Sequence, residues 1–163
     1  MASQFQLTIP GIEGDGPDGT IEVWSANVSV SNDSDADRGG PGMGGDSTCD
    51  MSDMHFIGPL CKSWAKVKDA CCKGSHFKEG VELKCIQSDG NDGSEFIKIK
   101  LDGVAISNSS INLSGGENGR PNITHQFSLK FGKISIEHSG QDDDGNKTAA
   151  INMTHDLRKR KAS

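Results

Sequence analysis

Runs in which apolar and polar residues alternate recur along almost the whole chain, and this period-two pattern constrains the fold more than any other feature of the sequence. Phe5, Leu7 and Ile9 alternate with Gln6 and Thr8, and Val81, Leu83 and Cys85 alternate with Glu82 and Lys84. Phe127, Leu129 and Phe131 repeat the pattern, and Ala149, Ile151 and Met153 form a last run. Side chains on an extended strand point alternately to its two faces, so each run offers one face for burial and leaves the other wet. Turn-rich stretches such as "PGIEGDGPDG" and "SDGNDG" separate the runs. In three places the phase changes. Val28 and Val30 fall out of step with Ile21 and Val23, which predicts a bend or bulge near Ser25 to Asn27. A slip at Asp102 and Gly103 interrupts the long run from Phe96 to Ile106. Ile134 and Ile136 resume out of phase beyond Gly132, as at a glycine bulge. Seven or eight strands, one helix and no strand-helix-strand alternation predict a mainly β chain, a barrel or a sandwich.

The helical exception is the stretch "DMHFIGPLCKSWAKVKDACCKGSHF", from Asp53 to Phe77. Pro59 suits a first helical turn, Lys73 a last turn and Gly74 a C-terminal cap. Leu60, Trp64, Val67 and Cys71 fall at offsets of four, seven and eleven, so they share one face and form the expected core seam of a helix over about residues 60–73. The same stretch holds three of the five cysteines. An odd cysteine count with Cys71 and Cys72 adjacent excludes a fully paired disulfide framework. Cys49, His55, Cys61, Cys71, Cys72 and His76 lack zinc-ligand spacing, and no local base accompanies a nucleophilic thiol. The cysteines therefore read as structural.

A chain of 163 residues is long enough for one domain with a real core. Its net charge of -6 argues against nucleic acid or an anionic membrane as the main partner, and the short basic sequence "RKRK", Arg158 to Lys161, reads as a solvated end on an acidic protein. The N-terminal "MASQFQLTIPGIEGDG" has neither the basic nor the apolar region of a signal peptide, and no apolar run approaches the roughly 20 residues that span a bilayer. From Ser31 to Asp50 the chain reads as one long loop. Asp33, Asp35 and Asp37 imitate the first ligands of a calcium loop, but Arg38 stands at the glycine position and Gly44 where a bidentate Glu is needed. Asp142, Asp143 and Asp144 read as a hairpin tip.

The order of these features resembles one family. "GIEGDG", "IEVWSANVSVS", a Gly-rich loop, "MSDMHFIGPLCKSWAKVKDACCKGSHF", "VELKC", "EFIKIKLDGVAISNSSINLSGG" and "HQFSLKFGKISIEH" follow one another as in the haemolysin-coregulated protein (Hcp) family of bacterial type VI secretion systems. The resemblance spans about residues 4 to 154 and divides the chain into an Hcp-like β-barrel domain, 1–154, and a basic tail, 155–163. It implies a small β-barrel of two antiparallel-rich sheets with one flanking helix, and homo-hexameric rings that stack into a hollow tube. It further implies partnership with the sheath, the spike and effector proteins, and a route from the cytoplasm out of the cell without a signal peptide. No cofactor, metal or catalytic residue is implied, nor any membrane insertion or nucleic acid. Since ring contacts in the family involve extended loops, Asn32, Asp33, Asp35, Met43 and Asp46 become candidate assembly-loop residues. Two other classes compete. A β-sandwich module recognising a peptide or carbohydrate needs exposed aromatics, of which two Trp and no Tyr are a poor supply. An enzyme needs a constellation around His55, His76, His125, His138 or His155, and none is legible. Each histidine reads instead as a polar surface or sheet residue.

Overall fold

The computed structural model describes residues 3–33, 48–87, 94–140, 146 and 148–157. Asp35, Met43, Asp46, the run Asp142 to Asp144 and the basic Arg158 to Lys161 lie outside them. The elements in chain order are β1 (Ser3–Thr8), β2 (Ile21–Val23), β3 (Ser25–Asn27), β4 (Val30–Asp33), β5 (Thr48–Met51), β6 (Met54–Pro59) and the helix α1 (Trp64–Lys73). After it come β7 (His76–Phe77), β8 (Val81–Gln87), β9 (Ser94–Asp102), β10 (Val104–Gly115), β11 (Pro121–Lys130), β12 (Lys133–His138) and β13 (Ile151–Asp156). Every pairing is antiparallel. Six strands form one sheet in the order β13-β12-β9-β8-β1-β2, and five form a second in the order β3-β6-β11-β10-β7. The alternating residues of both sheets meet between them: Leu7, Val23, Val81 and Leu101 from the first sheet, Phe56, Val104 and Leu129 from the second, all at most 2% exposed.

The three phase changes have one explanation, and it is larger than a bulge. At Trp24, at Gly103 and around Gly132 the chain leaves one sheet and enters the other. A strand that crosses between facing sheets must turn the opposite side of its pleat toward the core, so its apolar phase inverts. The first crossing is fixed to the second sheet by the Trp24 N–H, which donates to the Ile57 carbonyl at 2.8 Å. The other two are fixed to each other, since the Gly132 N–H donates to the Asp102 carbonyl at 2.9 Å. Gly103 makes its turn at φ 64°, in the left-handed region that favours glycine.

The helix is present but begins four residues later than its apolar spacing predicts. Pro59 is the last residue of β6, opposite Thr124, rather than the first of a helical turn. Leu60 consequently lies outside the helix and is 37% exposed, so it is no part of the seam. Trp64 is half-buried at the first helical position, Val67 and Ala70 are buried, and Cys71 packs half-buried at the edge of the core. The working stripe is Val67, Ala70 and Cys71, at offsets of three and four. The C-terminus is as expected: Gly74 adopts φ 62°, its N–H donates to the Cys71 carbonyl, and Lys73 pairs with Asp69 at 2.7 Å.

The stretch from Ser31 to Asp50 is not a loop throughout. β4 and β5 pair as a separate two-stranded ribbon, with Val30 opposite Met51 and Asp33 opposite Thr48. Asn32 and Asp33 stand on that ribbon, paired with Cys49 and Thr48.

Candidate functional site

The outward faces of the two sheets differ in chemistry. On the six-stranded sheet the outward positions of β8, β9 and β12 carry Glu82, Lys84, Lys98, Lys100 and Glu137, with Lys84 directly opposite Lys98. That like-charged pair is compensated on both sides. Lys84 Nζ lies 3.2 Å from Glu82 and 3.7 Å from Glu95, and Lys98 Nζ lies 3.4 Å and 3.9 Å from the same two carboxylates. The hydrogen bond to Glu82, foremost, holds the Lys84 ammonium above its ordinary pKa, against the opposing effect of burial. The result is a balanced ladder suited to water or to a charged partner.

The five-stranded sheet presents the opposite character. Its outward positions are filled by Asn27 on β3, His55 and Ile57 on β6, Asn108 and Ser110 on β10, and Gln126 and Ser128 on β11. Lys130, at one end of β11, is the single formal charge among these outward strand positions. Register explains the run of Ser and Asn: one irregularity between Ile106 and Asn108 shifts the alternation of β10, so the polar residues beyond it face outward beside Gln126 and Ser128.

In this face lies a hollow of about 450 Å³ lined by Asp53, His55, Ile57, Ser107, Asn108, Gln126 and Ser128 among others. The Ser107 hydroxyl donates to Asp53 Oδ2 at 2.7 Å, and His55 Nδ1 lies 2.6 Å from Ser128 Oγ. A serine, a histidine and an aspartate together invite comparison with a hydrolytic triad. The connections are wrong for one: Asp53 is engaged by Ser107 and not by His55, and Ser128 is buried at 7% exposure. The arrangement can bind, through fixed acceptors, better than it can attack.

His125 is a sheet residue, as expected, but a buried one. It points to the core side of β11, is 2% exposed, and rests against the Phe127 ring with centroids 5.1 Å apart. Its Nε2 lies 3.0 Å from Ser109 Oγ. Burial pushes its pKa below the ordinary value, and Lys68 of α1 adds to the effect. Between the lowered folded value and the usual value of about 6.5 the unfolded chain binds more protons than the folded one, so stability falls as pH drops through that window. Thermal melts at pH 8 and pH 5 are expected to show a smaller acid-induced loss in His125→Gln than in the parent. An identical loss in both would rule His125 out as the cause.

Of the residues singled out from sequence, Val67 is in the core, Cys71 packs against it, Trp64 is half-buried, and Asn32 and Asp33 stand on the ribbon. None of these lines the hollow; His55, weighed from sequence as a zinc ligand or enzyme residue, does. Asp53, Ser107, Asn108, Gln126 and Ser128 drew no attention in the sequence, because isolated Ser and Asn in strands are unremarkable one by one. The available signal was collective, namely that the polar phase of β10 and β11, Lys130 apart, lacks the charges that fill the polar phase of β8 and β9.

The model of the family described as "Type VI secretion system effector, Hcp" matches residues 7–138. The chain belongs to the Hcp family. Protein hcp1 of Pseudomonas aeruginosa is 27% identical over 97 residues, a match that covers 60% of this chain and 57% of that relative's length. Among solved structures, one described as a type six secretion system protein superposes with a TM-score of 0.83 at 20% identity, covering 97% of this chain and 98% of the other. Hcp1 from Salmonella typhimurium superposes with a TM-score of 0.70 at 18% identity, covering 98% and 97%. Identities this low speak for the fold: the two antiparallel sheets, with one α-helix among the described residues, match the Hcp architecture. Family membership places the chain in type VI secretion.

Proposed function

We propose that this Hcp chain is a tube subunit: six copies close into a ring, rings stack into a hollow tube, and the lumen carries and shelters effector proteins on the way out of the cell. The contrast between the two outward sheet faces is the observation that carries the reading. A tube wall needs an inner surface along which polypeptides of any charge can lie and move, and an outer surface that meets water and a sheath. The face around Gln126 and Ser110, almost without formal charge, suits the inside because it offers hydrogen bonds without strong electrostatic preference. The ladder of Lys84, Lys98, Glu82 and Glu95 suits the outside. A ring closes through a heterologous contact, one patch against a different patch, and the β4-β5 ribbon with Asn32 and Asp33 is available for contacts between rings.

Negative-stain microscopy of the purified protein is expected to show six-fold rings with a central hole, and a strictly monomeric species under all conditions would overturn the proposal. The assignment of faces has its own check, in a Cys72→Ser background that removes the exposed thiol of the helix. A maleimide coupled to streptavidin, too bulky to enter the hole, should modify Lys84→Cys in preformed rings and spare Gln126→Cys. The reverse pattern would invert the wall.

A further inference from the structure

The hollow in the nearly neutral face holds a carboxylate with no ion-pair partner among the described residues. Asp53 is half-buried at its edge, and its carboxylate accepts one hydrogen bond, from Ser107. No ion pair reaches it among the described residues, although Lys130 stands on the same face. Asn108 and Gln126 line the same hollow with side-chain amides that have no partner among the described residues, and Ile57 adds an apolar wall. Ser107 serves as the organiser, since its hydroxyl lies 2.7 Å from Asp53 Oδ2 and 3.3 Å from the Ser128 carbonyl. His55 turns its Nδ1 to Ser128.

An anion is the wrong occupant for this hollow, because its lining offers a carboxylate and no Lys or Arg. A metal ion is poorly served as well: one carboxylate and one imidazole whose Nδ1 is already engaged do not make a ligand set, and no group of three candidate ligands occurs among the described residues. What remains is an organic cation with several donors. A guanidinium presents five N–H groups in a planar fork, which suits a hollow lined by a carboxylate and two side-chain amides better than the compact ammonium of lysine does.

We infer that the hollow formed by Asp53, Ser107, Asn108 and Gln126 is a binding site for an arginine side chain of a bound polypeptide. The arginine fork bonds the Asp53 carboxylate, with the Asn108 and Gln126 carbonyl oxygens as further acceptors, and the arginine stem lies along Ile57. Asp53 is the recognising group, and Ser107 is a positioning residue that holds the carboxylate toward the hollow. The inference deepens the tube reading and rests on it for one point, that the polypeptide is carried cargo. A ring would then offer six such sites on its inner wall, each weak alone and additive along a cargo chain.

Fluorescence anisotropy with a labelled Gly-Arg-Gly peptide tests the site, with Gly-citrulline-Gly as the uncharged isostere. The parent protein is expected to bind the arginine peptide, with citrulline binding and the Asp53→Asn variant each weakened by roughly tenfold, the scale of a charge-assisted hydrogen bond. Ser107→Ala keeps the charge and should weaken binding less than Asp53→Asn does. Glu137→Gln removes an acid from the opposite face and should leave binding unchanged, which separates the site from the general acidity of the protein. Equal affinity for the two peptides, or unchanged binding by Asp53→Asn, would overturn the inference. Microscopy of the same samples keeps the two claims apart. Rings with no arginine preference sink the site alone, whereas arginine preference in a protein that never forms rings sinks the tube reading and leaves the site.

Discussion

Phe56→Ala is expected to cost about 3–5 kcal/mol of folding stability, the usual range for emptying a buried phenylalanine site. Phe56 is 0% exposed and stacks on Phe127 with ring centroids 5.1 Å apart and planes 18° from parallel. It stands on the strand between β3 and β11, so its ring fills the middle of the space between the sheets, where neighbours tied by ladders on both sides have little freedom to close the void. Against a total stability of about 5–15 kcal/mol such a loss is severe, and it corresponds to a melting temperature lower by roughly 10 °C or more. Ile57, the next residue, points the other way into the outward hollow, and Ile57→Ala should stay within about 1 kcal/mol. Urea titrations of the two variants measure the contrast. A Phe56→Ala loss no greater than that of Ile57→Ala would show that the core between the sheets is elsewhere than the burial indicates.

That pair of neighbours illustrates how far the sequence can be read. Period-two alternation identifies the buried residue of each pair in most strands: Leu7, Val23, Val81, Leu83, Phe127 and Leu129 all stand on inward positions and are at most 5% exposed, whereas Ile151 and Met153 of the last run stay exposed at 72% and 44%. The alternation also locates the places where something happens to a strand, at Ser25 to Asn27, at Gly103 and at Gly132. It does not identify what happens there. A bulge within one sheet and a crossing between two sheets produce the same inversion of phase, and only the identity of the hydrogen-bonding partners separates them. Those partners are distant in sequence, as Ile57 is from Trp24 and Asp102 from Gly132. The misplaced start of the helix has a similar cause. Pro59 fits a first helical turn and the end of a strand equally well, and the choice is made by Thr124, sixty-five positions away, which pairs with it.

The binding face was less legible than the fold. Individual Ser, Asn and Gln residues in strands carry no chemical signal, and Asp53 sits beside His55 in a segment whose helix and cysteines draw the eye. Its meaning depends on Ser107, fifty-four positions later, and on the irregularity of β10 that brings Asn108 to the outward side. The contrast between a charged and an uncharged polar phase, by comparison, is present in the sequence and needs only the knowledge that both phases belong to outward faces.

Gly58→Ala is the second large effect, and it tests how the barrel is closed. A Cβ built on Gly58 would lie 2.7 Å from the Glu22 carbonyl oxygen, closer than real Cβ atoms approach, and the obstacle is backbone rather than the end of a flexible side chain. That approach is the seam itself, since β2 passes over Gly58 immediately before Trp24 crosses to the second sheet and bonds Ile57. A methyl group at this position pushes β2 from β6, lengthens the 2.8 Å bond from Trp24 to Ile57, and lets water toward Val23. The expected cost is about 1–3 kcal/mol for alanine and more for valine, the range of overpacking in a site that cannot move aside. Gly115→Ala is the matching control. A Cβ there meets nothing within 4 Å, so the substitution should be neutral or stabilise by up to about 1 kcal/mol through loss of unfolded-state freedom. Trp24 is exposed beside the seam, and in a Trp64→Phe background its fluorescence alone reports the local change. A Gly58→Ala protein with the parent's stability and an unshifted Trp24 emission would mean that the two sheets are joined less closely at this edge than the strand crossing requires.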